Sequence, residues 1–95
     1  MNFGEALQAL KEGKKVQREG WNGKGMFLVK AGGYSVALDK VRPDTHFTKE
    51  FLESEGCKSF DIVPHIDMWT AQKNYVSGWL ASQTDMFADD WQIVP

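Results

Sequence analysis

The 95 residues carry a net charge of −2, with 42% hydrophobic and 25% charged side chains. That is the balance of one ordinary globular domain, too short for two independent cores. A pI near 5.6 excludes the broad basic footprint of a duplex nucleic-acid binder. No apolar run is long enough for a secretory leader or a membrane-spanning helix, so a soluble cytoplasmic protein with no membrane partner is expected. Cys57 stands alone, which rules out an intrachain disulfide and a cysteine zinc site and leaves a passive thiol. Four tryptophans are many for so small a chain. Rings of that size need an oligomer interface or a ring-lined pocket to cover them.

Asn2 is a helix cap with Glu5 reaching back to it, and Phe3, Ala6, Leu7 and Leu10 follow as one apolar stripe. The spacing predicts an amphipathic helix over 3–12, stopped by Gly13. Residues 14–19 alternate around Val16 and predict a short strand. Gly20 to Gly25 hold three glycines and an Asn-Gly pair and predict a loop. Residues 26–30 form an apolar run of strand length; Gly32-Gly33 turn the chain, and Tyr34, Val36 and Leu38 alternate. These three strands read as a meander. Residues 39–59 are polar and read as an insertion into a single domain spanning 1–95. Within it Thr48 caps a helix over 49–55, with Phe51 and Leu52 facing inward and Gly56 as the stop.

Residues 60–70 form the longest predicted strand, with Phe60, Ile62, Ile66 and Met68 on one face and Asp61, Val63, His65, Asp67 and Trp69 on the other. Pro64 cannot donate to a ladder and marks an edge or a bulge. A turn at 72–74 leads to a strand over 75–80. Ser82 and Asp85 then form a second capping box that opens a helix to about Ala88, and residues 91–94 make a last strand. The predicted class is α+β: an antiparallel sheet with an N-terminal amphipathic helix and short helices between strands. Phe3, Leu7, Leu10, Phe51, Leu52, Ile62 and Ile66 are its expected core.

Two aromatic and polar stretches stand out, 20–27 and 78–91. Trp21 sits inside a loop, where its ring must pack on something: Trp79, the core or a ligand base. Stacking a base on such a ring contributes on the order of 1–3 kcal/mol in single-strand binders. The glycine loop is either a hairpin turn or a phosphate cradle, and it lacks the Gly-x-Gly-x-x-Gly and Walker patterns. Ser82 and Asp85 are explained by capping alone or by capping plus ligand contact, and the first alternative leaves Gln83 and Thr84 without a role. His65 and Asp67 share a strand face. A metal site would need a third ligand and a relay would need a nucleophile motif; neither accompanies them, so a structural or ligand-contacting pair is expected. Lys14, Lys15 and Arg18 read as a solvated face, and Asp89-Asp90 as a helix terminator.

The opening Met-Asn-Phe-Gly-Glu-Ala-Leu-Gln-Ala-Leu-Lys-Glu-Gly-Lys-Lys-Val, the loop Gly20 to Phe27, the strand Pro64 to Met68, and the close Gly78 to Met86 with Asp90-Trp91 resemble the second family of phage Thoeris anti-defence proteins. The resemblance covers residues 1–30 and 60–95; residues 31–59 carry none of its motifs. It implies a sponge and not an enzyme: a protein in the cytoplasm of the infected host that binds a cyclic ADP-ribose isomer made as an immune signal and withholds it uncleaved. It also implies homotetramers with pockets at subunit interfaces, and in some members uptake of cyclic dinucleotides at a separate site. A glycocyclic ADP-ribose would need a ring to stack on (Trp21, Phe27 or Trp79) and partners for hydroxyls (Asn22, Ser82, Gln83, Asp85). Its pyrophosphate would need the glycine loop around Gly23, Lys24, or a helix N-terminus. Thr84 and His65 complete the expected contacts, and no cofactor is required. The rival expectations are an enzyme that degrades the signal through His65 and Asp67, and a structural or adaptor protein with no ligand.

Overall fold

The computed structural model describes residues 1–43 and 46–95, and the fold is α+β. The chain forms two compact units, one of Met1–Ala31 with His65–Pro95 and one of Gly32–Pro64. The segment 39–59, expected as an insertion, lies within the second unit, whose bounds are wider.

The first unit is a five-stranded antiparallel sheet with the N-terminal helix packed on one face and a short helix before its last strand. Helix α1 (Phe3–Lys11) starts at the predicted box: Asn2 Oδ1 accepts from Glu5 N at 2.8 Å, and Glu5 Oε1 accepts from Asn2 N at 2.9 Å. Strands β1 (Lys15–Arg18) and β2 (Phe27–Ala31) pair as expected. The remaining strands of this sheet are β5 (His65–Trp69), β6 (Tyr75–Val76) and β7 (Trp91–Val94), in the order β6-β5-β2-β1-β7. Ala6, Ala9 and Leu10 of α1 close over Val16, Leu28 and Trp91 as the core. Each large apolar side chain buried this way contributes about 1.5–3 kcal/mol. Phe3, Leu7, Ile66 and Met68 pack at the margin of that core.

The second unit pairs β3 (Tyr34–Ala37) with β4 (Ser59–Ile62) in a two-stranded sheet, with helix α2 (Lys49–Ser54) between them in sequence. Thr48 Oγ1 caps α2 by accepting from Phe51 N at 3.2 Å. Leu52 is buried, but Phe51, expected inside, is exposed and meets the Phe47 ring edge-on at 6.2 Å.

Three predicted strands are corrected. The meander ends at β2, because Gly32 (φ 75°) and Gly33 (φ 86°) both take the left-handed conformation and turn β3 out of register. Gly33 N then donates to Ile62 O at 2.7 Å, which opens the second pairing. The single strand over 60–70 is two strands, one in each sheet. Pro64 has no N–H to give to a ladder, so the pairing is interrupted there and the period of two does not run through it. The strand over 75–80 stops at Val76, since Asp67 captures the Gly78 N–H at 2.7 Å and Gly78 adopts φ 92°.

Candidate functional site

The site grows from β1. Arg18 closes that strand, and its guanidinium is clasped from two sides: NH1 donates to Asp85 Oδ1 at 2.7 Å and Nε to Asp90 Oδ1 at 2.8 Å. Its side chain is 15% exposed, so the solvated role expected for it is corrected. Asp90, expected only to end a helix, also accepts from Gly20 N at 2.8 Å. A Cβ on Gly20 would stand 2.7 Å from that same Asp90 oxygen, so only glycine lets the loop backbone reach the carboxylate.

Asp85 sits on helix α3 (Gln83–Phe87), which opens on the predicted Ser82 box. Ser82 Oγ accepts from Asp85 N at 3.0 Å, and Asp85 Oδ2 accepts from Ser82 N at 3.1 Å. The other oxygen, Oδ1, accepts from Arg18 and from Trp21 Nε1 at 3.3 Å. Burial pushes the Asp85 carboxyl up, but the bonds from Arg18, Ser82 and Trp21 outweigh it and hold it below the usual carboxylate range. The hydrogen bond from Arg18 lowers Asp90 likewise, while the two carboxylates raise Arg18. The clasp therefore carries one more negative charge than positive, and repels rather than draws an anion.

Above the clasp stand three indoles. Trp21 meets Trp91 at 5.4 Å and Trp79 at 6.3 Å, and Trp79 meets Trp91 at 6.2 Å, all edge-on. Trp91 is buried, and its Nε1 donates to Asp85 O at 2.9 Å. Trp21 and Trp79 are half-buried. Such pairs add about 0.5–1.5 kcal/mol each beyond area burial, and here they fix a loop-borne ring in one orientation.

Beside Trp21 opens a cleft of about 270 Å³. Gly23, Lys24 and Gly25 form its loop side, Gln17, Arg18 and Glu19 its β1 side, and Gln92 of β7 closes it. Of the residues expected from sequence, Trp21, Gly23 and Lys24 meet here. Trp79 backs the Trp21 ring, and Asp85 lies beneath as an internal acceptor. Asn22, Ser82, Gln83 and Thr84 are exposed and are not among the cleft's lining residues. Phe27 lies on the sheet face opposite α1, stacked on Trp69 at 6.4 Å with Lys15 Nζ 4.9 Å from its ring centre.

His65 occupies that same face. Its Nε2 is 3.2 Å from Asp67 Oδ1, which also accepts from Gly78 N, while Tyr75 Oη donates to Oδ2. Burial pushes Asp67 up, yet the bonds from Tyr75 and Gly78 and the charge of His65 hold it below the ordinary range. The group ties the 75–79 segment to β5. Among the described residues no three His, Cys, Asp or Glu side chains gather as a metal site. No helix of the described residues is long and apolar enough to cross a membrane.

Sequence reasoning missed Gln17, Arg18, Glu19 and Gln92. The alternation of β1 and β7 puts Gln17 and Gln92 on the non-core face, but only the β1–β7 register, Gln17 opposite Gln92, makes them neighbours.

The small α+β fold carries an indole beside a polar cleft, and comparison with known proteins identifies the kind of protein it is. The family profile described as the Thoeris anti-defense 2-like domain matches residues 1–94. The chain is also 37% identical over 95 residues to Thoeris anti-defense 2 of Bacillus phage SP01, covering 99% of this chain and 94% of that protein. The chain belongs to the Thoeris anti-defense 2-like family.

Proposed function

We propose that this chain counters Thoeris defence inside the infected host by binding a cyclic ADP-ribose isomer, of the glycocyclic kind, and holding it uncleaved. The observation that carries this reading is the cleft at Trp21, where a half-buried ring is held by Asp85 next to the Lys24 ammonium and the glycine-loop backbone. A flat base has a face to stack on, and a pyrophosphate has a cation and backbone amides on the loop side of the cleft. Sequestration asks for no general acid or nucleophile. The His65–Asp67 pair lends the degrading-enzyme reading little support, because the Asp67 carboxylate is engaged by Tyr75 and Gly78.

The reading includes a homotetramer. At about 270 Å³ the cleft is near the lower end of the sizes that enclose a drug-sized ligand, and a second wall would close it over a nucleotide. The second wall comes from a neighbouring subunit through exposed Ser82, Gln83 and Thr84, with Leu80 (91% exposed) and Phe87 (82% exposed) as the apolar contact. Cyclic dinucleotides are a second ligand class for a separate site.

The test is to incubate a several-fold molar excess of glycocyclic ADP-ribose with the protein, heat the mixture and assay the recovered nucleotide. Intact ligand in full yield, with a calorimetric binding isotherm, supports the reading. Loss of ligand beyond stoichiometry supports degradation instead, and no heat with any cyclic ADP-ribose isomer or cyclic dinucleotide supports a structural role.

A further inference from the structure

Gln17 and Gln92 lie directly opposite each other on β1 and β7 and line the same cleft as Trp21 and Lys24. Val16 and Trp91, their neighbours in sequence, are buried in the core, so the two carboxamides project from the opposite face of the sheet. No hydrogen bond among the described residues engages either one. A carboxamide offers one acceptor beside donors, which matches the N6 amine and N7 of adenine in a bidentate pair. A 6-oxopurine shows two acceptors along that edge and calls for a two-donor partner such as arginine. Arg18 is the arginine of this cleft, and its Nε and NH1 are turned to Asp90 and Asp85. Glu19, on the same wall, adds acceptor capacity that suits an amine and opposes a carbonyl oxygen.

We infer that the Gln17–Gln92 pair reads the base of the bound nucleotide and selects adenine over 6-oxopurines. This rests on the ligand reading above. Lys24 and the loop amides take the pyrophosphate, Trp21 takes the base face, and the paired carboxamides take the base edge.

The experiment is calorimetric titration of wild type, Gln17→Leu and Gln92→Leu with the adenine and hypoxanthine forms of one glycocyclic ADP-ribose isomer. Each variant is first checked by thermal melting. Wild type is expected to favour the adenine form by about tenfold or more, the discrimination of one good bidentate pair. At least one leucine variant is expected to bind both forms within about threefold of each other while melting near wild type. Equal binding of the two forms by wild type overturns the inference and leaves sequestration standing, a result that requires no variant. Leucine variants that both keep the wild-type preference also overturn it. Wild type that binds neither form overturns the ligand reading itself.

Discussion

Replacing Asp85 with asparagine keeps the shape of the side chain and removes its charge. In the native protein the carboxylate takes donors from Arg18 at 2.7 Å, Ser82 N at 3.1 Å and Trp21 Nε1 at 3.3 Å. The Arg18 and Asp85 side chains are 15% and 13% exposed, so solvent screens the pair little. A hydrogen bond to a charged group is worth about 1.5–3 kcal/mol net. Asparagine retains one acceptor oxygen, and Arg18 retains Asp90, so the bonds are not lost additively. The expected cost is about 2–3 kcal/mol at neutral pH, a fall in Tm of about 10–20 °C for a chain of this size. The pH dependence carries the sharper check. The folded-state pKa of Asp85 lies below its unfolded value, so its stabilisation is fully present above about pH 4 and is lost as pH falls through the folded pKa. Urea unfolding of wild type and Asp85→Asn at pH 7 and pH 3 should therefore give a gap that narrows in acid. A gap unchanged between the two pH values, or below about 0.5 kcal/mol at pH 7, would refute the charge-assisted clasp.

Trp21→Ala is expected to weaken binding of glycocyclic ADP-ribose by tenfold or more, from lost stacking of about 1–3 kcal/mol, with Trp21→Phe intermediate; calorimetry below the melting temperature measures it, and unchanged affinity removes Trp21 from the site. Leu80→Asp with Phe87→Asp should lower the mass measured by light scattering from about four chains while leaving the circular dichroism spectrum intact; an unchanged tetramer moves the interface elsewhere. Asp67→Asn should destabilise the protein at neutral pH and progressively less in acid, because the Asp67 pKa is also lowered on folding; denaturant midpoints across pH 3–7 decide it.

The parts of this fold that are local in sequence were legible. Both capping boxes, at Asn2 with Glu5 and at Ser82 with Asp85, form as read. Their chemistry is complete within four residues, so no distant partner can redirect it. The strand-forming stretches and the β1–β2 pairing are legible, but the break within 60–70 and the partners of β3, β4 and β7 are not. β3 has the alternation of a meander strand, and nothing local says that it pairs with β4 across an excursion of some twenty residues. The candidate site divides the same way. Trp21 announces itself as a ring in a loop, whereas Arg18 looks like any surface cation until Asp85 and Asp90 arrive from the other end of the chain. Asp85 illustrates the reverse. Its capping role is readable, but its burial under Trp21 and Arg18 is not, because both partners come from the other end of the chain.

The left-handed pair Gly32-Gly33 and the break at Pro64 have a kinetic meaning. Ala31 and His65 are partners at the end of the β2–β5 ladder, although the whole second unit separates them along the chain. Closing a flexible loop of that length costs more than closing a hairpin by roughly three doublings at about 0.6 kcal/mol each, about 2 kcal/mol. Once β3 and β4 have paired from Tyr34↔Ile62 onward, most of that cost is already met, and β2 and β5 can zip together from adjoining ends. The small sheet is therefore expected to form before the large one. Weakening it at Asp61, which accepts from Ser35 Oγ at 2.7 Å and Ser59 Oγ at 2.6 Å, should slow refolding in stopped-flow traces and leave unfolding nearly unchanged; a change confined to the unfolding limb would mean that the sheets form in the other order.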